Sequence, residues 1–299
     1  MPEVILAREH PYADVRNAVR DELLTRLTRG GYAATDAEWS AEQVAKARIV
    51  AVHDRLRADH WFSHESAALL WGLPVLSVPD VTHLRQATRP SSHRDRAVRR
   101  YVGAVPAEHQ AVVGGIPVTD LTLTMVDCAR WLSGCAALVV ADAALAAGAD
   151  PAAADALVTA LGRQRGTAWA REVLSFADAG AESAGETLLR AGLLAAGLPP
   201  PVTQMPVRTR HRLYHGDVGY PQWRIVLEYD GRTKYTDRDV LVREKRRHDA
   251  MVETTFQVLR FTVEDLHPRA ILSRVLPLIP SDRNIILTPR PHFRRTGLS

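Results

Sequence analysis

Apolar positions recur at helical spacing through much of the first half of this chain. In residues 14–29, DVRNAVRDELLTRLTR, Val15, Val19, Leu23 or Leu24, and Leu27 share one helix face, and Gly30 and Gly31 stop the run. In WFSHESAALLWGLP, Ser63 is the predicted N-cap, residues 67–71 form an apolar helix, and Gly72 and Pro74 end it. Residues 81–102 are polar, with Arg85, Arg89, Arg94, Arg96, Arg99 and Arg100 against Asp80 and Asp95, and read as loop or edge strand. From Gly114, GGIPVTDLTLTMVDCARWL predicts a turn, a short strand and a helix capped near Thr119 or Asp120. Alanine-rich helical text then runs to Leu174, interrupted at 148–151.

The pattern changes at AGAESAGE, residues 179–186, which places a domain boundary there and divides the chain into 1–178 and 179–299. A helix over 182–196 ends at Gly197 and the prolines Pro199 to Pro201. Period-two alternation follows in VTQMPV, then RLYHGDVGY, a Pro221-Gln222 turn and WRIVLEYDG. A basic helix over 239–252, the strand FQVLRF and a helix near Ala270 complete the order α-β-β-β-α-β-α. The expected fold class is α/β in the α+β sense: a mostly helical N-terminal region, then a mixed sheet flanked by helices.

Composition narrows the class without deciding it. The chain has 299 residues, 46% hydrophobic and 24% charged, with a net charge of +4, which is globular composition and permits a nucleic-acid partner. Three of the 38 basic residues are lysine (Lys46, Lys234 and Lys245). Cys128 and Cys135 are seven apart in helical text, so both are expected as buried thiols on one helix face. Without a disulfide framework, a signal-peptide core or an uninterrupted apolar span, a cytoplasmic location and no membrane association are expected.

The chemistry concentrates in DVGYPQWRIVLEYDGRTKY. Carboxylates in a Val/Ile/Leu strand are costly unless a cation meets them. A turn centred between Gln222 and Trp223 sets Asp217 directly across from Glu228, with Cβ atoms about 4.5–5.5 Å apart. Like charges so placed repel, whereas a shared divalent cation turns the repulsion into coordination. Glu228 and Asp230 share a strand face, and Leu227 and Tyr229 point the other way. The alternative is a solvated hairpin edge whose carboxylates pair with Arg224, Arg232 or Arg247.

ESAGE, Gln204, HGDVGYP, LEYDGRTKY, REKRRHD and VLRFTVEDL, in that order over residues 182–275, resemble the endonuclease-like domain related to very-short-patch repair enzymes. That domain is a branch of the PD-(D/E)XK nucleases. The resemblance implies a restriction-endonuclease-like sheet that binds Mg²⁺ or Mn²⁺ through Asp217, Glu228 and a helix carboxylate, Glu186 rather than Glu182. It also implies DNA contacts from Gln204, Arg243, Lys245, Arg246 and Arg247. The family's lysine two positions after the glutamate is Asp230 here. Three alternatives follow: Lys234 reaches back to screen charge, Asp230 is a further ligand, or the fold persists without cleavage.

WFSHESAALLWGLP and GGIPVTDLTLTMVDCARWL resemble the N-terminal region of AbiEi antitoxins of type IV toxin–antitoxin systems, over residues 15–150. The family's winged helix is shortened here to one helix and a wing-like RLTRGGYA. His64 reads as a local hydrogen-bonding residue, and the 85–100 arginines as a solvated loop or a phosphate contact. Two functions from different classes are therefore expected. One is a Mg²⁺-dependent DNA endonuclease or nickase. The other is a non-catalytic DNA-binding regulator or antitoxin with a nucleotidyltransferase-like toxin partner.

Overall fold

Short strands interrupt the first third of the chain more often than its helical spacing predicts. The computed structural model describes residues 4–36, 38–89, 95–210, 212–231, 254–282 and 284–295. Strand β1 (Ile5–Leu6), helix α1 (Tyr12–Arg20) and strands β2 (Leu24–Thr28) and β3 (Gly31–Ala34) come first, the strands forming an antiparallel sheet in the order β1-β3-β2. The helix expected over 14–29 thus stops at Arg20 and is replaced by strand. Glu22 adopts a left-handed φ of 57°, which breaks the helix, and Thr25 and Thr28 supply β-branched residues to the strand that follows.

Helix α2 (Ala41–Arg55) opens with a capping box. The Ser40 N–H donates to Gln43 Oε1 at 2.8 Å, and the Gln43 N–H donates to Ser40 Oγ at 3.3 Å. After it come β4 (Trp61–Phe62), α3 (His64–Trp71), β5 (Thr82–Gln86), β6 (Val98–Val102), β7 (Gln110–Val113) and β8 (Ile116–Thr119). These strands make a five-stranded sheet in the order β6-β5-β4-β8-β7. Ile49, Val52, Phe62, Leu84, Val98 and Val118 fill one core on it. The arginine-rich 81–102 segment therefore carries two strands: β6 at the edge, as expected, and β5 in the interior. Polar residues are tolerated on β5 because they are paired; the Arg85 guanidinium meets Asp127 and His83 Nδ1 lies 3.1 Å from Tyr101 Oη.

Helix α4 (Leu121–Trp131) is capped by Asp120, whose Oδ1 accepts the Leu123 N–H at 2.7 Å. Helices α5 (Gly134–Ala146), α6 (Pro151–Ala160) and α7 (Thr167–Ser175) follow. Cys128 lies on α4 and Cys135 on α5, both buried and free, so the shared helix face expected for them does not form: the chain breaks between α4 and α5.

The C-terminal sheet is built from β9 (Val202–Arg208), β10 (Leu213–Tyr220), β11 (Ile225–Tyr229) and β12 (Gln257–Phe261), preceded by helix α8 (Ala184–Ala196) and followed by α9 (Pro268–Val275). Its order is β12-β11-β10-β9, antiparallel across β9, β10 and β11 and parallel between β11 and β12. This is the mixed, helix-flanked sheet expected, and the fold is α+β. The basic helix expected over 239–252 lies outside the described residues.

Contacts divide the chain into Met1–Arg130 with Gly148–Thr167, and Trp131–Ala147 with Ala168–Ser299. By contacts, residues 131–147 and 168–178 group with the residues that follow 179. Helix α5 belongs there because Asp142, 1% exposed, binds the Arg190 guanidinium of α8 and accepts from Thr187 Oγ1 and the Asp178 N–H, both at 2.8 Å. Breaking such a buried pair by removing one partner costs roughly 3–5 kcal/mol. Among the described residues no helix is long and apolar enough to cross a membrane.

Candidate functional site

The β10–β11 hairpin adopts the register its sequence predicts. Val218 pairs with Leu227, Gly219 with Val226 and Tyr220 with Ile225, and the ladder ends one step before Asp217 and Glu228. The connection is a 3-10 turn, Pro221–Trp223, closed by Arg224 at φ 56°. The carboxylate of Asp217 finishes the ladder itself: its Oδ2 accepts the Tyr229 N–H at 2.7 Å. Beyond it, the Asp230 N–H donates to the Phe261 carbonyl at 2.8 Å, so the residue at the expected lysine position is tied by its backbone to β12.

The glycines of HGDVGY are packing requirements. A Cβ on Gly216 would stand 2.3 Å from Val226 Cγ1, and one on Gly219 would stand 2.1 Å from Met205 Sδ. Both lengths are far inside van der Waals contact, so only glycine lets β9, β10 and β11 close on either side of Asp217.

On the other side of β10, the β9 ladder pairs Gly216 with Met205 and Val218 with Thr203 but skips the step between Asp217 and Gln204. Gln204 there has a φ of 44°, left-handed backbone that a glutamine adopts at a cost of about 1–3 kcal/mol. On the far side of β11, Glu228 is in parallel register with Arg260. Glu228 and Arg260 are thus paired across β11 and β12, while Asp217 and Gln204 occupy the interrupted step between β10 and β9. Strand alternation puts Glu228 on the face of Val226, and Val226 packs with Met205 and Val207. Glu228 is 5% exposed, and its Oε2 lies 3.3 Å from Arg260 Nε.

The expected site residues are not all gathered here. Glu186 sits at the third position of α8 and is engaged in its N-terminal cap. Its Oε2 accepts the Glu182 N–H and its Oε1 accepts the Ser183 hydroxyl, both at 2.9 Å, while Ser183 Oγ accepts the Glu186 N–H. Gly185 beside it would put a Cβ 2.0 Å from Tyr229 Cε1, so the start of α8 abuts the Tyr229 side chain. By strand alternation Tyr229 and Glu228 point to opposite faces. Among the described residues no three His, Cys, Asp or Glu side chains converge to hold a metal ion. Lys234, Arg243, Lys245, Arg246 and Arg247 lie outside the described residues. Arg260 was not foreseen. The signal was present, a lone charge in the apolar run FQVLRF, the same reasoning that singled out Glu228.

A second polar cluster is wholly internal to the N-terminal unit. His64 is fully buried at φ 53°, its ring stacked on Tyr101 at 3.8 Å between centroids. Its Nδ1 lies 2.9 Å from Ser63 Oγ and 3.6 Å from Asp127 Oδ2, and Asp127 is held by Arg85. Burial pushes the His64 imidazole down to about 3, overriding the attraction of Asp127. Ser63 thus serves His64 rather than the α3 backbone, and the arrangement is an interior strut.

No family model matches the chain. Two uncharacterized proteins of Mycobacterium tuberculosis, MT2308 from strain CDC 1551 / Oshkosh and Rv2248 from strain ATCC 25618 / H37Rv, are each 29% identical over 215 residues, covering 70% of this chain and 78% of theirs. Among solved structures, the crystal structure of the RV2827C protein from Mycobacterium tuberculosis aligns with a TM-score of 0.39 at 15% identity, covering 58% of this chain and 72% of that one.

Proposed function

We propose that the C-terminal unit hydrolyses phosphodiester bonds in DNA, as a Mg²⁺- or Mn²⁺-dependent endonuclease or nickase. The observation that carries the reading is the β10–β11 register, whose last pair, Val218 with Leu227, stands one residue from Asp217 and from Glu228 in an apolar sheet. Two carboxylates brought close together repel, and a shared divalent cation would turn that repulsion into coordination. Their donor set is all oxygen, which fits a hard divalent cation with its remaining positions filled by water or phosphate. Asp217 and Glu228 would hold the ion; Glu186, both of whose oxygens are engaged in the α8 cap, would not in this arrangement. Bound there, a divalent ion supplies Lewis acidity and a more acidic water. The chain's own share is positioning: the Tyr229 amide fixes Asp217, and Arg260 fixes Glu228.

A second reading is favoured by Asp230 at the position where the nuclease pattern has lysine. On this reading the unit keeps the fold, lacks cleavage, and serves a DNA-binding regulator or an antitoxin with a nucleotidyltransferase-like toxin partner. The one helix and the β1-β3-β2 sheet at the N-terminus would then be the remnant of a winged helix. Either reading suits a cytoplasmic protein.

A plasmid-nicking assay with Mg²⁺ or Mn²⁺ separates them. The nuclease reading expects nicking by the wild type and none by Asp217→Asn. An inert wild type hands the case to the regulator.

A further inference from the structure

Two histidines of the N-terminal unit stand at the spacing that a divalent metal ion spans. His53 lies in the last turn of α2 and His60 immediately before β4, and His53 Nδ1 is 3.0 Å from His60 Nε2. Both rings pack edge-on against Phe62, with centroids at 6.3 and 5.4 Å, and Phe62 is fully buried in the core of the five-stranded sheet. His60 itself is 6% exposed, so packing sets its position.

The proton positions follow from the partners. His60 Nδ1 lies 2.7 Å from the Ala58 carbonyl, which can only accept, so Nδ1 carries the proton and the neutral ring has its lone pair on Nε2. His53 Nδ1 therefore donates to that lone pair. One nitrogen held by a backbone carbonyl while the other is presented outward is the arrangement that metal-ligating histidines adopt. Two nitrogens about 2.0–2.1 Å from a zinc ion are roughly 2.9–3.4 Å apart in octahedral or tetrahedral geometry, and this pair already falls in that range. His53 needs only its other neutral tautomer, the proton moved from Nδ1 to Nε2 through water, for both lone pairs to meet one ion. The chain loses no proton in the exchange.

A pair that served only to tie α2 to β4 would be complete with its hydrogen bond in a closed interior. This one borders a cavity of about 570 Å³, lined also by Arg57, Asp59, Trp61 and Gln110. Among the described residues no third His, Cys, Asp or Glu converges on the pair, and the cavity has room for the waters or the anion that would complete the coordination. Imidazole suits zinc, copper or nickel, whereas the all-oxygen Asp217 and Glu228 suit magnesium or manganese, so the two places differ in the ion they fit.

We propose that His53 and His60 bind a Zn²⁺ ion in the N-terminal unit, with its remaining positions open to the cavity. The test is calorimetric titration of the untagged full chain with Zn²⁺ alone, and thermal melts in EDTA confirm that each variant folds. The wild type is expected to take up Zn²⁺, and His53→Gln and His60→Gln each to bind it at least about tenfold more weakly. His10→Gln, which alters an exposed histidine elsewhere, is expected to match the wild type. Should His60→Gln fail to fold, the half-buried His53 decides through His53→Gln alone. The same titrations in the Asp217→Asn background keep an ion at the carboxylates from being mistaken for one at the histidines. A wild type that binds no Zn²⁺ overturns the proposal, and so does an affinity unchanged in His53→Gln. Zn²⁺ uptake that disappears in Asp217→Asn alone places the ion at the carboxylates and overturns it as well.

Discussion

Asp217 performs a structural task and a proposed chemical one, and two substitutions separate them. Asp217→Ala removes the acceptor of the Tyr229 N–H, a charge-assisted bond of 2.7 Å in the middle of the sheet. An amide left without that acceptor costs about 1–3 kcal/mol. Against this stands relief of the repulsion across the ladder from Glu228, worth about 0.2–1 kcal/mol. The net expectation is a loss of about 1–2 kcal/mol for alanine. Asp217→Asn keeps an oxygen for the amide and also removes the repulsion, so it is expected within about 0.5 kcal/mol of wild type. Urea unfolding in EDTA measures both. The same titration with Mn²⁺ then reads the chemical task. A divalent ion held by Asp217 and Glu228 at 100 times its Kd stabilises the wild type by about 2.7 kcal/mol and should stabilise Asp217→Asn far less. The reasoning fails if asparagine destabilises as much as alanine in EDTA, or if Mn²⁺ shifts wild type and Asp217→Asn alike.

Two further outcomes follow from packing and burial. His64 is neutral when folded, with its imidazole pushed down to about 3 from an ordinary 6.5, so the unfolded chain binds the proton first as pH falls. The stability it confers is complete above 6.5 and is lost as pH drops toward 3, at up to about 1.4 kcal/mol per pH unit. Urea melts at pH 7 and pH 5 should therefore differ by about 2 kcal/mol, and a flat profile would contradict the burial argument. Gly185→Ala puts a methyl 2.0 Å from Tyr229 Cε1, and the strain of about 1–3 kcal/mol outweighs the roughly 1 kcal/mol that alanine gains in a helix. Its melting temperature should fall, and a rise would mean that Tyr229 swings aside at no cost.

What the sequence made legible was local. The hairpin register follows from a short turn and period-two alternation, both contained within a dozen residues, and so the pairing of β10 with β11 could be read directly. The helix over 14–29 failed for the opposite reason: Leu23, Leu24 and Leu27 fit a helical stripe and a strand equally well, and the deciding residue, Glu22, carries no mark in the text of its left-handed backbone. The rest depended on partners far along the chain. Arg85 reads as a surface charge until Asp127, 42 residues away, is seen beside it on another element. The place of α5 in the C-terminal unit rests on Asp142 meeting Arg190, 48 residues later. Arg260 becomes part of the candidate site only through a parallel pairing with β11, and parallel neighbours are set by a long crossover rather than by any turn. In this chain the charged residues that were misread or overlooked are those whose counter-charge is distant. Asp217 and Glu228, close in sequence and alike in sign, stood out because a carboxylate is unusual in so apolar a strand.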